Sequence, residues 1–354
     1  MQIDFHHGAT YALARIAGLS HAEADTIAYA AQYVDDATNA GIIRFNDRSS
    51  YERISSAHKA LDYRNFTALA VSRVWIPFHF MPGNCGHAAD EPVYATRPER
   101  LITLPDSHPA RDMVRMAILA KDRPWGVHRF GITMHVFADT WAHQGFVGVN
   151  HEVNDATDIR GPDGRPALSL IERMAGYFVS SAVNPLGHGA VLSFPDRPWL
   201  RWSYVDGLGR RVERDNPRDY LQASDRMCQV LSQFAMGDPD ATAFGLPDAD
   251  RAVFEEMIAI DDEDGERRHA LWLEAIARGR FSFGPADVTY IAKGEGSWKH
   301  RALDTAEAVD QGDEVFPMSA HFANSDWKLF HDALQEHRFD ILHRVLPKYG
   351  ILTA

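Results

Sequence analysis

His135, Asp139 and His143 recur every four residues in the segment 129–146. On a helix of 3.6 residues per turn, a step of four carries a side chain about 40° past a full turn, so the three share one side along roughly 12 Å of axis. Phe130, Ile132, Met134, Val136, Phe137, Trp141 and Phe146 surround them. That helix is apolar almost all the way round, which predicts burial. Two imidazoles and a carboxylate inside a core are costly to desolvate unless a strong partner meets them, and a metal ion is such a partner.

Other residues of ligand type stand along the chain. His6 and His7 are adjacent near the start, and Asp35 follows Tyr33-Val34. His79 lies between Phe78 and Phe80, and His188 sits between two glycines in Gly187-His188-Gly189. Each has an ordinary alternative, such as a helix cap, a solvated helix end or a core imidazole bonded to a backbone carbonyl. Phe80, Trp141 and Phe146 are candidates for a substrate-binding wall, with core packing as the plain alternative. His87, His151, Glu152 and Asp155 fall in polar loop sequence, where solvation explains them.

Helices must position these groups. An Ala-rich run over 7–17 ends at Gly18. Ser20 and Glu23 then form the pattern of a capping box for a second helix, with Gly41 as its stop. Residues 64–75 are ambiguous between helix and strand. Pro77 and Pro82 predict a bend over 77–83, and 84–108 reads as loop. Further helices are expected near 109–121, 127–145, 167–182, 216–236, 248–260, 264–278 and 325–345. Residues 199–214, with Asp206-Gly207 at the centre, read as one small hairpin. The expected fold class is mainly α, with that hairpin and long loops, in a single domain over 1–354 (core 1–236, C-terminal helical extension 237–354).

The totals narrow the function. The 354 residues carry 36 Lys+Arg against 49 Asp+Glu, a formal charge of -13. Such a balance disfavours a standing nucleic-acid partner, whose binders normally present a basic face. Two cysteines exclude a disulfide framework. No apolar run approaches the ~18–20 residues of a membrane span. The opening residues lack the plan of a secretion signal, so a cytoplasmic location is expected.

Taken in chain order, these residues resemble the ligand set of the zinc-dependent phospholipase C and S1/P1 nuclease superfamily. That family carries an early His, an Asp closing an Ala-rich helix, and a His before an aromatic and a proline. A buried His-x-x-x-Asp helix with a following His comes next, then one more His. His6 or His7, Asp35, His79, His135, Asp139, His143 and His188 match that order, over roughly residues 5–195. The resemblance implies a multi-helix core binding two or three Zn²⁺ ions. It also implies hydrolysis of phosphoric esters by an activated water, with Asp139 and Asp35 as catalytic carboxylates. A small-molecule or lipid phosphoester is the favoured substrate class. The whole chain also resembles an uncharacterised bacterial family.

Two departures stand out. The family's mature N-terminal Trp is absent, leaving open whether Asp4, His6 or His7 takes its place or the third site is missing. Leu192 occupies the position of an acid four residues after the last His, and Asp196 is the nearby substitute. Glu266-x-x-His269 and Asp340-x-x-His343 carry the alternative of a carboxylate-bridged di-iron protein, and a helical protein with a structural metal is a third reading.

Overall fold

The computed structural model describes residues 1–58, 68–166, 186–310, 312 and 314–353. It is mostly helical, with eleven α-helices and two three-stranded sheets among the described residues. A π-helical turn, Asp4–Ala9, runs directly into α1 (Thr10–Ile16). Ser20 and Glu23 close a reciprocal capping box at the start of α2 (His21–Asp36). That helix stops at Asp36 rather than at Gly41. Gly41 instead opens β1 (Gly41–Phe45), which pairs antiparallel with β2 (Ser50–Arg53) and parallel with β6 (Val315–Phe316).

The stretch left open between helix and strand forms α3 (Ala68–Phe78), which runs two residues into the expected bend over 77–83 and holds Pro77 in its last turn; residues 79–83 are non-helical. Lacking an N–H, Pro77 cannot bond back to the Arg73 carbonyl and its ring crowds that turn, and the helix ends one residue later. The amides of His79 and Phe80 both bond back to the Trp75 carbonyl, so the chain leaves the helix tightly wound. Within the stretch read as loop, Thr96 and Glu99 cap the short α4 (Arg97–Leu101). Next come α5 (His108–Leu119) and α6 (Gly126–Ala142).

The expected hairpin is present as β4 (Arg201–Asp206) and β5 (Arg211–Asp215). β3 (Ala156–Arg160) joins it as a third strand. The helices α7 (Asn216–Met236), α8 (Asp248–Ile258), α9 (Gly265–Ala277), α10 (Trp298–Leu303) and α11 (Asp326–Asp340) complete the set. The helix expected over 167–182 lies outside the described residues. No described helix is long and apolar enough to cross a membrane.

The centre of the molecule is α6, packed between α2 and α11. Gly131 makes the α2 contact possible, since a Cβ there would lie 2.5 Å from the Ile27 carbonyl oxygen and 2.6 Å from the Ala30 Cβ. The close approach brings His135 onto the Ala31 carbonyl. On the opposite side, Arg129 of α6 forms a buried ion pair with Asp340 of α11, and Arg344 takes the other Asp340 oxygen at 2.9 Å. The ring of His337 donates to the Pro77 carbonyl at 3.0 Å, tying α11 to α3.

His331 and His337 are buried with no carboxylate ion pair among the described residues, and burial pushes both down to about 3. Their folded values lie below the unfolded value near 6.5. The stability they lend is therefore complete above pH 6.5 and lost as the pH falls from there toward 3. At pH 5 each costs roughly 2 kcal/mol relative to pH 7.5. The urea midpoint is expected to fall between those pH values, and His337→Gln should flatten the slope. An unchanged slope in that variant would count against the assignment of His337.

Candidate metal centre

Buried α6 and the turns around it bring nine polar groups together. His135 and Asp139 come from α6 and His143 from its C-cap, with Asp35 at the end of α2 and His79 just beyond α3. His6 projects from the π-helical turn. His188 lies on a 3₁₀ turn, Gly187–Val191, rather than on a full helix, and Asp196 on the next one, Phe194–Asp196. The ninth, the amino nitrogen of Met1, is an ammonium that gives protons rather than a lone pair, and it stands 2.6 Å from Asp139 Oδ1 and 3.2 Å from Asp196 Oδ1.

Four of the imidazoles are fixed by backbone carbonyls. His135 Nδ1 donates to Ala31 O (2.8 Å), His79 Nε2 to Ser56 O (2.9 Å), His143 Nδ1 to His79 O (2.8 Å) and His188 Nδ1 to Leu192 O (2.7 Å). A carbonyl only accepts, so each bond places the proton on the bonded nitrogen; for His143 that nitrogen also lies 3.5 Å from Asp139 Oδ2. The opposite nitrogen of the neutral ring then carries a lone pair. This is the outer support that metal-ligating histidines normally have.

The consequence is sharpest between His135 Nε2 and His79 Nδ1, which stand 3.2 Å apart. Both are acceptors in the neutral rings. Asp139 Oδ2 lies 3.2 Å from the first and 3.5 Å from the second, and Asp35 Oδ1 lies 3.8 and 3.9 Å from them. Four acceptors thus converge with no donor between them. Ligands held about 2.0–2.1 Å from a tetrahedral zinc sit roughly 3.4 Å from one another, close to this spacing.

Three groups of ligand atoms lie within 4.8 Å of one another: His6, Asp35 and His135; His79, His135 and Asp139; His143, His188 and Asp196. His135 belongs to two of them but has one free nitrogen, so the first two groups share a position or divide its ligands. The third group is separate. Asp139 spans the groups, its Oδ1 lying 3.3 Å from His6 Nε2 and its Oδ2 meeting His79 and His135. Both His6 nitrogens, Asp139 Oδ2 and Asp196 Oδ1 are buried without a hydrogen bond among the described residues. Orphaned buried polar atoms are rare in folded proteins.

Electrostatics point the same way. Burial, chiefly, pushes His6, His135 and His188 down to about 4, so they are neutral at pH 7. Burial raises Asp139, but His143, the Met1 amine, His135 and His6 outweigh it and hold that carboxyl well below the usual range. Burial likewise raises Asp196, and the Met1 amine, His188 and His143 bring it far down. Burial raises Asp35, against the pull of His135 and His79. The Met1 amine rises to about 11 although burial opposes it, because Asp139, Asp196 and Asp35 surround it. Three carboxylates against one ammonium leave the ionised cluster about two negative charges in excess, which is a demand for cations.

The remaining sequence candidates fall elsewhere. His7 turns away from the cluster and its Nδ1 meets His269 Nε2 at 2.9 Å, while Asp4 pairs with Arg268. Trp141 and Phe146 are buried, against Phe137 and Tyr204 respectively. Phe80, also buried, stacks on His143 at 4.6 Å and backs its ring. His87 is exposed and pairs with Glu91, and His151 caps a turn by accepting from Val153 N. Asp340 is engaged by two arginines, and Glu266 is exposed. The Met1 amine was not legible as a site group, because nothing in residue type marks a backbone nitrogen.

Within the cluster Asp35 is 36% exposed and His188 21%, whereas His135 and Asp139 are buried. No curated protein and no solved structure matched the chain in comparisons with known proteins. A family model described as a family of unknown function (DUF6765) matches residues 1–345, and the chain belongs to that family.

Proposed function

We propose that the chain is a metal-dependent hydrolase of phosphoric esters whose buried centre holds two or three Zn²⁺ ions. One observation carries the reading. In the neutral rings His79 and His135 present lone pairs to each other across 3.2 Å beside Asp139, an arrangement that a bound metal ion makes favourable. A structural zinc is a weaker account, because such sites are closed, single and often rich in Cys. Here the ligand groups outnumber one ion, Asp35 and His188 are partly exposed, and the free cysteines, Cys85 and Cys228, belong to none of the three groups. The ordered ligand set, similar to that of zinc-dependent phospholipases C and S1/P1 nucleases, favours phosphoesters among hydrolysable substrates.

Bound zinc would supply Lewis acidity, lowering the pKa of water toward 7 and offsetting charge that builds on phosphoryl oxygens. His6, His79, His135 and Asp139 hold one end of the centre, and His143, His188 and Asp196 the other. Asp139 links the two ends, because its Oδ2, beside His79 and His135, also lies 3.5 Å from His143 Nδ1. Carbonyl-bonded rings do not swing, so the ligand geometry is set before substrate arrives. Asp35, the most exposed of the three carboxylates and raised by burial, takes the proton of the attacking water.

Zinc-loaded protein is expected to hydrolyse bis-p-nitrophenyl phosphate, and a phosphocholine ester or other small phosphoester better than single-stranded nucleic acid. Chelation should abolish the activity. Two or three zinc ions per chain with no turnover of any of these substrates would leave the metal and remove the enzyme. Bound iron with visible absorption would favour the di-iron alternative instead.

A further inference from the structure

The π-helical turn that delivers His6 makes its firmest polar contacts far away in sequence. Arg268 of α9, wholly buried, donates from Nε to Asp4 Oδ2 at 2.6 Å and from Nη2 to Gln2 Oε1 at 2.7 Å. Its third contact is Asp262 O at 2.6 Å, and its guanidinium lies 4.9 Å from the ring of Trp199. The next residue, His269, meets His7 Nδ1 at 2.9 Å. One turn on, Trp272 presses against the turn so closely that a Cβ on Gly8 would stand 2.7 Å from its own Cβ. Residues 268, 269 and 272 therefore grip positions 2, 4, 7 and 8, on both sides of His6.

His6 has no such support of its own. Neither ring nitrogen bonds a backbone carbonyl; the ring stacks on His135 at 3.8 Å, and its Nε2 lies 3.3 Å from Asp139, itself a member of the cluster. The other four site histidines are each oriented by a backbone carbonyl. The direction in which His6 points is thus inherited from the turn's backbone, and α9 fixes that backbone through the two neighbours of His6 that carry polar side chains.

We infer that α9 is a positioning element for the metal centre, with Arg268 and His269 as positioning residues that set His6 and thereby the ion it helps to hold. The inference rests on the reading that the centre binds zinc. Partners that orient a ligand typically change metal affinity by about 10–100-fold when removed. The loss should be selective, since among the described residues no hydrogen bond or ion pair joins His143, His188 or Asp196 to α9.

The test uses the full chain with zinc alone. Wild type, His6→Ala, Arg268→Met, His269→Phe and the double variant H6A/R268M are titrated with Zn²⁺, and bound metal is counted after gel filtration. Co²⁺ absorption of the same samples reports the sites that remain. Arg268→Met and His269→Phe are expected to weaken the same ion that His6→Ala removes, by at least about tenfold. The double variant should lose no more metal than His6→Ala, and Arg268→Lys should restore part of the loss. Wild type binding no zinc would instead remove the proposed function itself. If wild type binds zinc and both α9 variants match it, the positioning role is wrong. Equal weakening of every ion would also overturn it, because that is the signature of general loosening. Should Arg268→Met not fold, His269→Phe alone decides, since it leaves the Asp4 ion pair intact.

Discussion

Asp139→Asn is expected to strip at least one zinc from each chain and to cut phosphoester turnover by more than about 100-fold, beyond what loss of an outer support costs a metal site. The reason lies in what the carboxylate touches. One oxygen faces the Met1 amine and His6, the other faces His135 and His79, and both are buried. Asparagine preserves the shape but removes the charge and turns one face into a donor. That NH₂ group can hydrogen-bond a histidine lone pair, which satisfies the imidazole and withdraws it from any ion. The variant should therefore fold as well as the metal-free wild type while binding less zinc. Elemental analysis alongside a p-nitrophenol release assay measures both. Full zinc content in the variant would separate Asp139 from the centre.

Removal of metal should be felt across the whole molecule. The empty cluster keeps an excess of buried negative charge, and cations that bind only the folded chain add RT ln(1 + [L]/Kd). At a free zinc concentration of 100 Kd this is about 2.7 kcal/mol per ion. With roughly 2.1 cal/mol/K of unfolding entropy per residue, two or three ions correspond to a rise of roughly 7–11 °C in the thermal midpoint. Calorimetry with zinc and with excess chelator should show that difference, graded with zinc concentration. Coincident midpoints would mean that no ion binds the folded state in preference to the unfolded one.

These effects rest on a site of which much could be read from residue types. Spacing alone placed His135, Asp139 and His143 on a buried helix, because the period of an α-helix and an apolar surround leave few alternatives. α7 was equally plain, bounded by the Asp215 cap and by Gly237 in a left-handed C-cap. What escaped depended on contacts between distant segments. β1 and β2 are short, half-exposed strands whose neighbour β6 lies some 270 residues away, and neither local alternation nor turn chemistry announces such a pairing. The choice between His6 and His7 was likewise beyond local pattern. They are adjacent in sequence, and it is the distant partners that differ, His7 meeting His269 of α9 while His6 meets Asp139 in the cluster. Asp196, by contrast, was within reach as the nearest acid after His188, and the successive 3₁₀ turns bring its carboxylate 3.7 Å from His188 Nε2.

An anomalous difference map at the zinc absorption edge, from crystals grown with Zn²⁺, tests the central claim most directly. The account predicts one peak among His79, His135, Asp139 and Asp35 and another among His143, His188 and Asp196, with a third beside His6 if three ions bind. A map without peaks at both positions, in a protein whose imidazoles still face one another, would contradict it.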